Sequence, residues 1–326
     1  MFNYVTSLNI LLWVVNFLGV IVPVLLGVAI LTLLERKVIG YMQFRKGPNL
    51  VGPLGVLQPL ADGLKLFIKE TFGPTNSASL LFFIAPGSFF LLAVLIWSVM
   101  PLGFSFLNLE LSFLFILGIS SLSAYPVLVA GWASNSKYAL LGALRGGAQI
   151  ISYEVSFSLI VLPLVFFLGS WNLNLFGDIQ SFCLYFCPFF PLFIMWYISC
   201  LAETNRAPFD LTEGESELVS GYNVEFSGGP FALFFIGEYA NIILINVLTG
   251  VIFLWGNFYG VEVLSPLYLS VLGSLFIFSF LWVRSSFPRV RYDQLMMLMW
   301  KGFLPLCLSL IFFYYVYVYL FNGNVL

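Results

Sequence analysis

Carboxylates are the proton-handling groups of this chain, because it contains no histidine. Imidazole acid–base chemistry, haem ligation and His-bound metals are thereby excluded. The acids are unevenly spread. Six of the fifteen (Glu203, Asp210, Glu213, Glu215, Glu217 and Glu225) fall in or just beyond the stretch ETNRAPFDLTEGESELVSG (203–221), against one base, Arg206. Loops are commonly polar and solvated. This one is far denser in charge than the 9% of the whole chain, and Pro208, Gly214 and Gly221 give it turn chemistry. Its expected role is docking or proton handling. Two further acids, Glu154 in ISYEVS and Glu238 in FIGEYANI, interrupt apolar runs. Each could be a structural acid held by a Tyr or Ser neighbour such as Tyr153 or Tyr239. An ionisable group at membrane depth costs roughly 2.5–3.5 kcal/mol, which puts function first. Like charges in a dry cluster cannot all ionise, so some carboxyls must be protonated or paired with Arg36, Arg145 or Arg206. A proton relay or a charge-driven switch requires that condition. Cys183, Cys187, Cys200 and Cys307 offer one C-x3-C spacing and no second such pair, so no metal or iron–sulfur site is expected in the chain.

The elements that must carry these groups are membrane helices. Hydrophobic residues make up 61% of the 326, and mean hydropathy is +1.01. The expected fold is a single all-α polytopic membrane domain, 1–326. Eight spans are expected, at 8–34, 80–100, 111–130, 148–169, 182–201, 231–254, 265–283 and 302–321, since about 20 apolar residues cross the hydrocarbon. The first lacks a basic start and a small-residue cleavage site, so it is expected to remain in the mature protein. All thirteen bases lie in alternate connections or at their rims, whereas the opposite connections hold only the acids Glu110, Asp178 and Glu262. The positive-inside rule puts the basic connections, with the long loops 35–79 and 203–228, in the cytoplasm or matrix and both termini outside. Glu203 then ends the fifth span. Glu154, roughly 9 Å along the fourth from its expected start at Ala148, sits near the same inner face, as does Glu238. In the first inner loop, QPLADGLKLFIKE (58–70) has Leu60, Leu64, Phe67 and Ile68 on one side and Asp62, Lys65 and Lys69 on the other. That pattern predicts a short interfacial amphipathic helix. A loop gripping anionic headgroups would explain the bases, but not Asp62, which reads as buried.

Five stretches carry a family likeness: ERKVIGYMQFRKGPN (35–49), GWASNSKYALLGALRGGAQIISYEVS (131–156), AETNRAPFDLTEGESELVSGYNVE (202–225), FALFFIGEYANI (231–242) and RYDQLMMLMWKGFLPL (291–306). Over essentially its whole length the chain resembles the quinone-chamber membrane subunit (subunit 1) of respiratory complex I, the proton-pumping NADH:ubiquinone oxidoreductase. The resemblance implies a subunit that helps two peripheral subunits enclose the chamber where ubiquinone is reduced. Its buried acids would pass the effect of that reduction to the pumping arm. It implies that Arg36, Asp62, Glu154, Glu203, Arg206, Glu213, Glu215, Glu217 and Glu238 are the functional charges. It also implies that FMN and iron–sulfur clusters reside on partner subunits. The expected partners are other membrane and peripheral-arm subunits of complex I and membrane lipid, with no nucleic acid.

Ubiquinone has a polar head and a long apolar tail, so its site needs an opening from the lipid and a few polar groups at the inner end. The first and sixth spans, the interfacial helix and Phe234, Phe235 and Tyr239 are the expected lining, although any one Phe among 37 is more readily a packing residue. Two other classes compete. The membrane anchor of an energy-converting hydrogenase would share the loops. A secondary transporter would explain buried acids, but the halves show no clear inverted repeat. The absence of a targeting peptide and the abundance of Phe suit the mitochondrial inner membrane, with both termini in the intermembrane space. A bacterial plasma membrane is the alternative.

Overall fold

The computed structural model describes residues 2–101, 107, 109–180, 184–212, 214, 221–256 and 264–320. Among these residues all regular structure is helical, in the order α1 (Phe2–Met42), α2 (Gln58–Ile68), α3 (Ser79–Trp97), α4 (Ser112–Leu122), α5 (Ala124–Ala133), α6 (Lys137–Leu168), α7 (Leu173–Ile179), α8 (Phe190–Glu203), α9 (Gly228–Phe253), α10 (Leu264–Ser286) and α11 (Tyr292–Met297). A π-helical turn, Leu298–Phe303, carries α11 into α12 (Leu304–Leu320). Seven spans are long and apolar enough to cross a membrane, α4 and α5 together forming one of them, and α8 is an eighth, shorter apolar helix.

The last span starts at Tyr292 rather than 302, and three boundaries nearer the charged residues also depart from the sequence expectation. α1 runs on to Met42, so Glu35, Arg36 and Lys37 are helical. α8 begins only at Phe190, because Pro188 and Pro191 have no N–H to donate to a preceding helical turn, and 185–189 form turns instead. Its fourteen residues rise roughly 21 Å, less than the roughly 30 Å hydrocarbon core. α6 starts at Lys137, well before Ala148, which puts Glu154 roughly 25 Å along its axis. Gly142, Gly146 and Gly147 lie in that added segment, and each costs a helix about 1 kcal/mol. The cost is offset by close packing. A Cβ on Gly142 would lie 2.9 Å from Gly221 Cα and 2.9 Å from Tyr222 N, so the far end of the acidic stretch lies directly on α6.

α9, the helix of Glu238 and Tyr239, is the axis of the bundle. It is apolar all round, as a fully surrounded helix must be, and α1, α2, α3, α7, α8 and α10 all pack on it. α6 gathers α4, α5, α8, α12 and the 221–223 turn. Along α1, Val24, Val28, Leu31 and Glu35 are buried, whereas Leu18, Val22, Leu26 and Ile30 are exposed. The 4-3-4 spacing of the buried set is one helical face, and Glu35 continues it.

The contact at Gly142 is with backbone, which cannot swing aside. Gly142→Ala is therefore expected to cost about 1–3 kcal/mol of overpacking. Limited proteolysis of the assembled protein should then cut faster near 221–225, and an unchanged digestion pattern would refute the docking.

Candidate functional site

The site is organised by the turn that ends α8. Asn205 adopts a left-handed conformation, with φ 49°. Its N–H donates to Ala202 O at 3.2 Å, and Arg206 N–H donates to Leu201 O at 3.3 Å. These two bonds make a Schellman motif, with Asn accepting the left-handed position more readily than most residues. The Thr204 hydroxyl donates to Cys200 O at 3.0 Å and helps satisfy the last carbonyls. Downstream, Val290 N–H donates to Pro208 O at 2.9 Å, and Arg289 pairs with Asp210 at 3.2 Å. Leu211 and Thr212 are buried. The near half of the acidic stretch is thus fastened to the rest of the chain, and its far end lies on α6.

On one side of the turn, Glu154, Glu203 and Glu238 line a single cavity with about 50 Å³ of room for water. Its walls include Phe89, Ile116, Phe157 and Ile245. Glu154 is half-buried there, with Ser120 and Ser123 also on the cavity wall. Glu238 accepts from the Tyr222 hydroxyl. The expected tyrosine partners are corrected accordingly: Tyr239 turns to another acid, and the buried Tyr153 hydroxyl has no protein partner among the described residues. The reason is helical facing, since the residue beside an acid on a helix points about 100° away from it. Three buried oxygens on this cavity also lack a protein partner among the described residues: Glu203 Oε2, Asn205 Oδ1 and Asn241 Oδ1. A cavity of this volume has room for ordered water, and unpartnered polar atoms are where water binds.

On the other side lies a cluster centred on Glu35, which the sequence pattern does not single out. Glu35 is 6% exposed. It accepts from the Tyr239 hydroxyl at 2.5 Å, pairs with Arg206 at 3.4 Å and forms an ion pair with Arg284. The Arg206 guanidinium also lies over the Tyr239 ring, 4.4 Å from its centroid, a favourable cation–π geometry. Among the described residues, one carboxylate is thus shared by two guanidiniums. The sequence signal that could have found Glu35 is its place as the first charge after a 34-residue uncharged run.

The remaining candidates fall in different surroundings. Asp62 is not buried. It accepts from Arg36 at 2.6 Å and from Gln58 at 2.9 Å, with the side chains of Arg36 and Asp62 exposed by 49% and 37%. It lies on the polar face of α2, turned to α1. The apolar face of α2 (Leu60, Leu64, Phe67 and Ile68) is exposed. A basin of about 690 Å³ is bordered by Glu35, Arg36, Ile39, Arg45 and Lys46, among others, and touches α2 at its first residue, Gln58. Phe234 is fully buried among Phe89, Tyr222 and Phe226 and presents no open face. Phe235 is partly buried and packs on Tyr239 and Phe231. Glu213, Glu215 and Glu217 lie outside the described residues.

Residues 15–315 match the sequence profile described as NADH dehydrogenase. The chain belongs to the NADH dehydrogenase family. It is 58% identical over 299 residues to NADH-ubiquinone oxidoreductase chain 1 of Paracentrotus lividus, covering 91% of this chain and 92% of that one. The protein of the same name from Patiria pectinifera is 55% identical over 307 residues, 93% of each. That of Salmo salar is 57% identical over 299 residues, 91% and 92%. Membership covers both charge clusters and the turn between them.

Glu35 and Asp62 make a controlled comparison. Removing one partner of a buried pair costs about 3–5 kcal/mol, while an exposed pair contributes about 0.2–1. Glu35→Gln removes the buried carboxylate that Arg206 and Arg284 share, so it should sharply lower the yield and thermal midpoint of the assembled complex. Asp62→Asn should leave both near wild type. Equal losses on native gels for the two variants would contradict the assignment of burial.

Proposed function

We propose that this chain is a core membrane subunit of an NADH:ubiquinone oxidoreductase that helps form the quinone chamber and couples quinone reduction to proton movement. One observation carries the reading: a single turn presents Glu203 to the acid-lined cavity and Arg206 to the buried Glu35 cluster. The basin beside α2 has the volume of a small-molecule site. Its surroundings supply what ubiquinone needs. The exposed face of Leu60, Leu64 and Phe67 suits an isoprenoid tail, and Arg36 with the Glu35 cluster suits the polar head. Electrons come from FMN and iron–sulfur groups on partner subunits, and this chain contributes positioning and charge. A change of charge at the quinone head alters the balance around Glu35, Arg206 and Arg284. Because Arg206 and Glu203 share one rigid turn, that change is passed to the acid cavity, where carboxyls and water can take up and release protons. Glu213, Glu215 and Glu217 belong to the same proton-coupling set in this reading, by their charge and their place in the acidic stretch.

The partners in this reading are the other membrane and peripheral-arm subunits together with lipid. The chain sits in the mitochondrial inner membrane with its basic connections on the matrix side. The ion pairs Arg206–Glu35, Arg284–Glu35 and Arg36–Asp62 support that arrangement, since they bring three of the basic connections together at one end of the bundle. The identity of 55–58% to chains that carry the quinone oxidoreductase name favours this reading over a hydrogenase anchor or a transporter.

Glu154→Gln, Glu203→Gln and Glu238→Gln keep shape and hydrogen-bonding capacity while removing the charge change. In fully assembled complexes reconstituted into vesicles, the proton-to-electron ratio or the quinone-reduction rate should fall in each. Wild-type rate and stoichiometry in all three would defeat the coupling role. Arg36→Met should separately impair turnover with long-tailed quinones. Unaltered ubiquinone kinetics would reduce Arg36 to a membrane-side anchor.

A further inference from the structure

Gln149 is fully buried on α6, and it lines neither the acid cavity nor the basin. Its side-chain amide donates to Ala202 O at 2.8 Å and to Phe209 O at 2.9 Å. Only the NH2 end of an amide can donate to two carbonyls, so the ring of acceptors sets its orientation. The two carbonyls stand at either end of the segment that contains Glu203, Asn205 and Arg206. Each also accepts a local backbone bond, from Asn205 N at 3.2 Å and from Leu211 N at 3.0 Å.

We propose that Gln149 is a positioning residue that sets the α8 turn against α6, and so holds Glu203 in register with Glu154 and Arg206 in register with Glu35. The inference rests on the coupling role given above to Glu203 and Arg206. The Schellman bonds of the turn are made within residues 200–206, so the shape of the turn is local. Its placement is not. Gln149 is on the same helix as Glu154, so its two bonds tie the turn to the helix that carries the opposing acid. Without those donors the turn keeps its shape and loses its address. The consequence falls on the relation between the two charge clusters, which a generic packing residue would not control.

The test uses the assembled complex carrying Gln149→Met, which keeps length without donors, and Gln149→Asn, whose amide is one methylene shorter. NADH oxidation by a water-soluble acceptor, which reads the peripheral arm alone, should be unchanged per assembled complex. Quinone reduction should fall roughly tenfold, as displacement of catalytic groups by a fraction of an ångström to 1 Å commonly does. The proton-to-electron ratio should fall with it in at least one variant. Wild-type quinone reduction and stoichiometry in whichever variant assembles would overturn the proposal. Failure of both to assemble would also overturn it, by making Gln149 a folding residue. Glu203→Gln measured in parallel separates the two levels. If it is defective while the Gln149 variants are normal, only the positioning role fails. If it is normal, the coupling reading fails, and a Gln149 defect would then have another cause.

Discussion

A carboxylate inside an apolar helix bundle is tolerable only with opposite charge beside it, and Glu35 has two guanidiniums. Transfer of an isolated ion to such a medium costs several kcal/mol even after relaxation, and its partners must come from other elements. Arg206 arrives from the turn after α8, Arg284 from the last turn of α10 and the Tyr239 hydroxyl from α9. The requirement therefore brings four segments to one point. It also accounts for the unbroken run of α1 to Met42, since a helix ending at residue 34 would not carry Glu35 on the buried face of Val24, Val28 and Leu31.

The acid cavity answers the same constraint in a different way. Among the described residues, no guanidinium lines the space of Glu154, Glu203 and Glu238. Instead they have the Tyr222 hydroxyl and room for water beside orphaned oxygens of Glu203, Asn205 and Asn241. A group satisfied by water can exchange protons, whereas one locked between two guanidiniums is held charged. In the proposed reading the two clusters divide the labour: one senses charge and the other handles protons. The three-residue separation of Glu203 and Arg206 is the shortest covalent link between them.

The acidic stretch departs from an ordinary surface loop because its described ends are docked. Its near half is held by Arg289 and Val290, and its far end lies on a glycine-rich face of α6. Tyr222, from that far end, reaches Glu238. One connection therefore frames the cavity from both ends, which gives the density of acids in it a structural context.

Composition and charge order by themselves determined the class of this protein. An apolar fraction of 61% compels membrane helices, and the alternation of basic and acidic connections orders them, since neither depends on which way a helix faces. The acids that share the cavity were also legible, because a charge within an apolar run stands out one residue at a time. What only the tertiary structure decided is facing. α1 is apolar all round, so nothing local distinguishes Glu35 turned inward from Arg36 turned out to Asp62. The same ambiguity hid Tyr222 as the tyrosine that reaches Glu238 and made Asp62 look buried. The start of α6 was hidden because glycine signals a break and a close packing surface alike, and only the arrival of Gly221 and Tyr222 tells them apart. A lipid-exposed surface and a buried one are equally apolar, so in this chain the side-chain pattern that usually encodes facing is missing, and the positions of paired charges take its place.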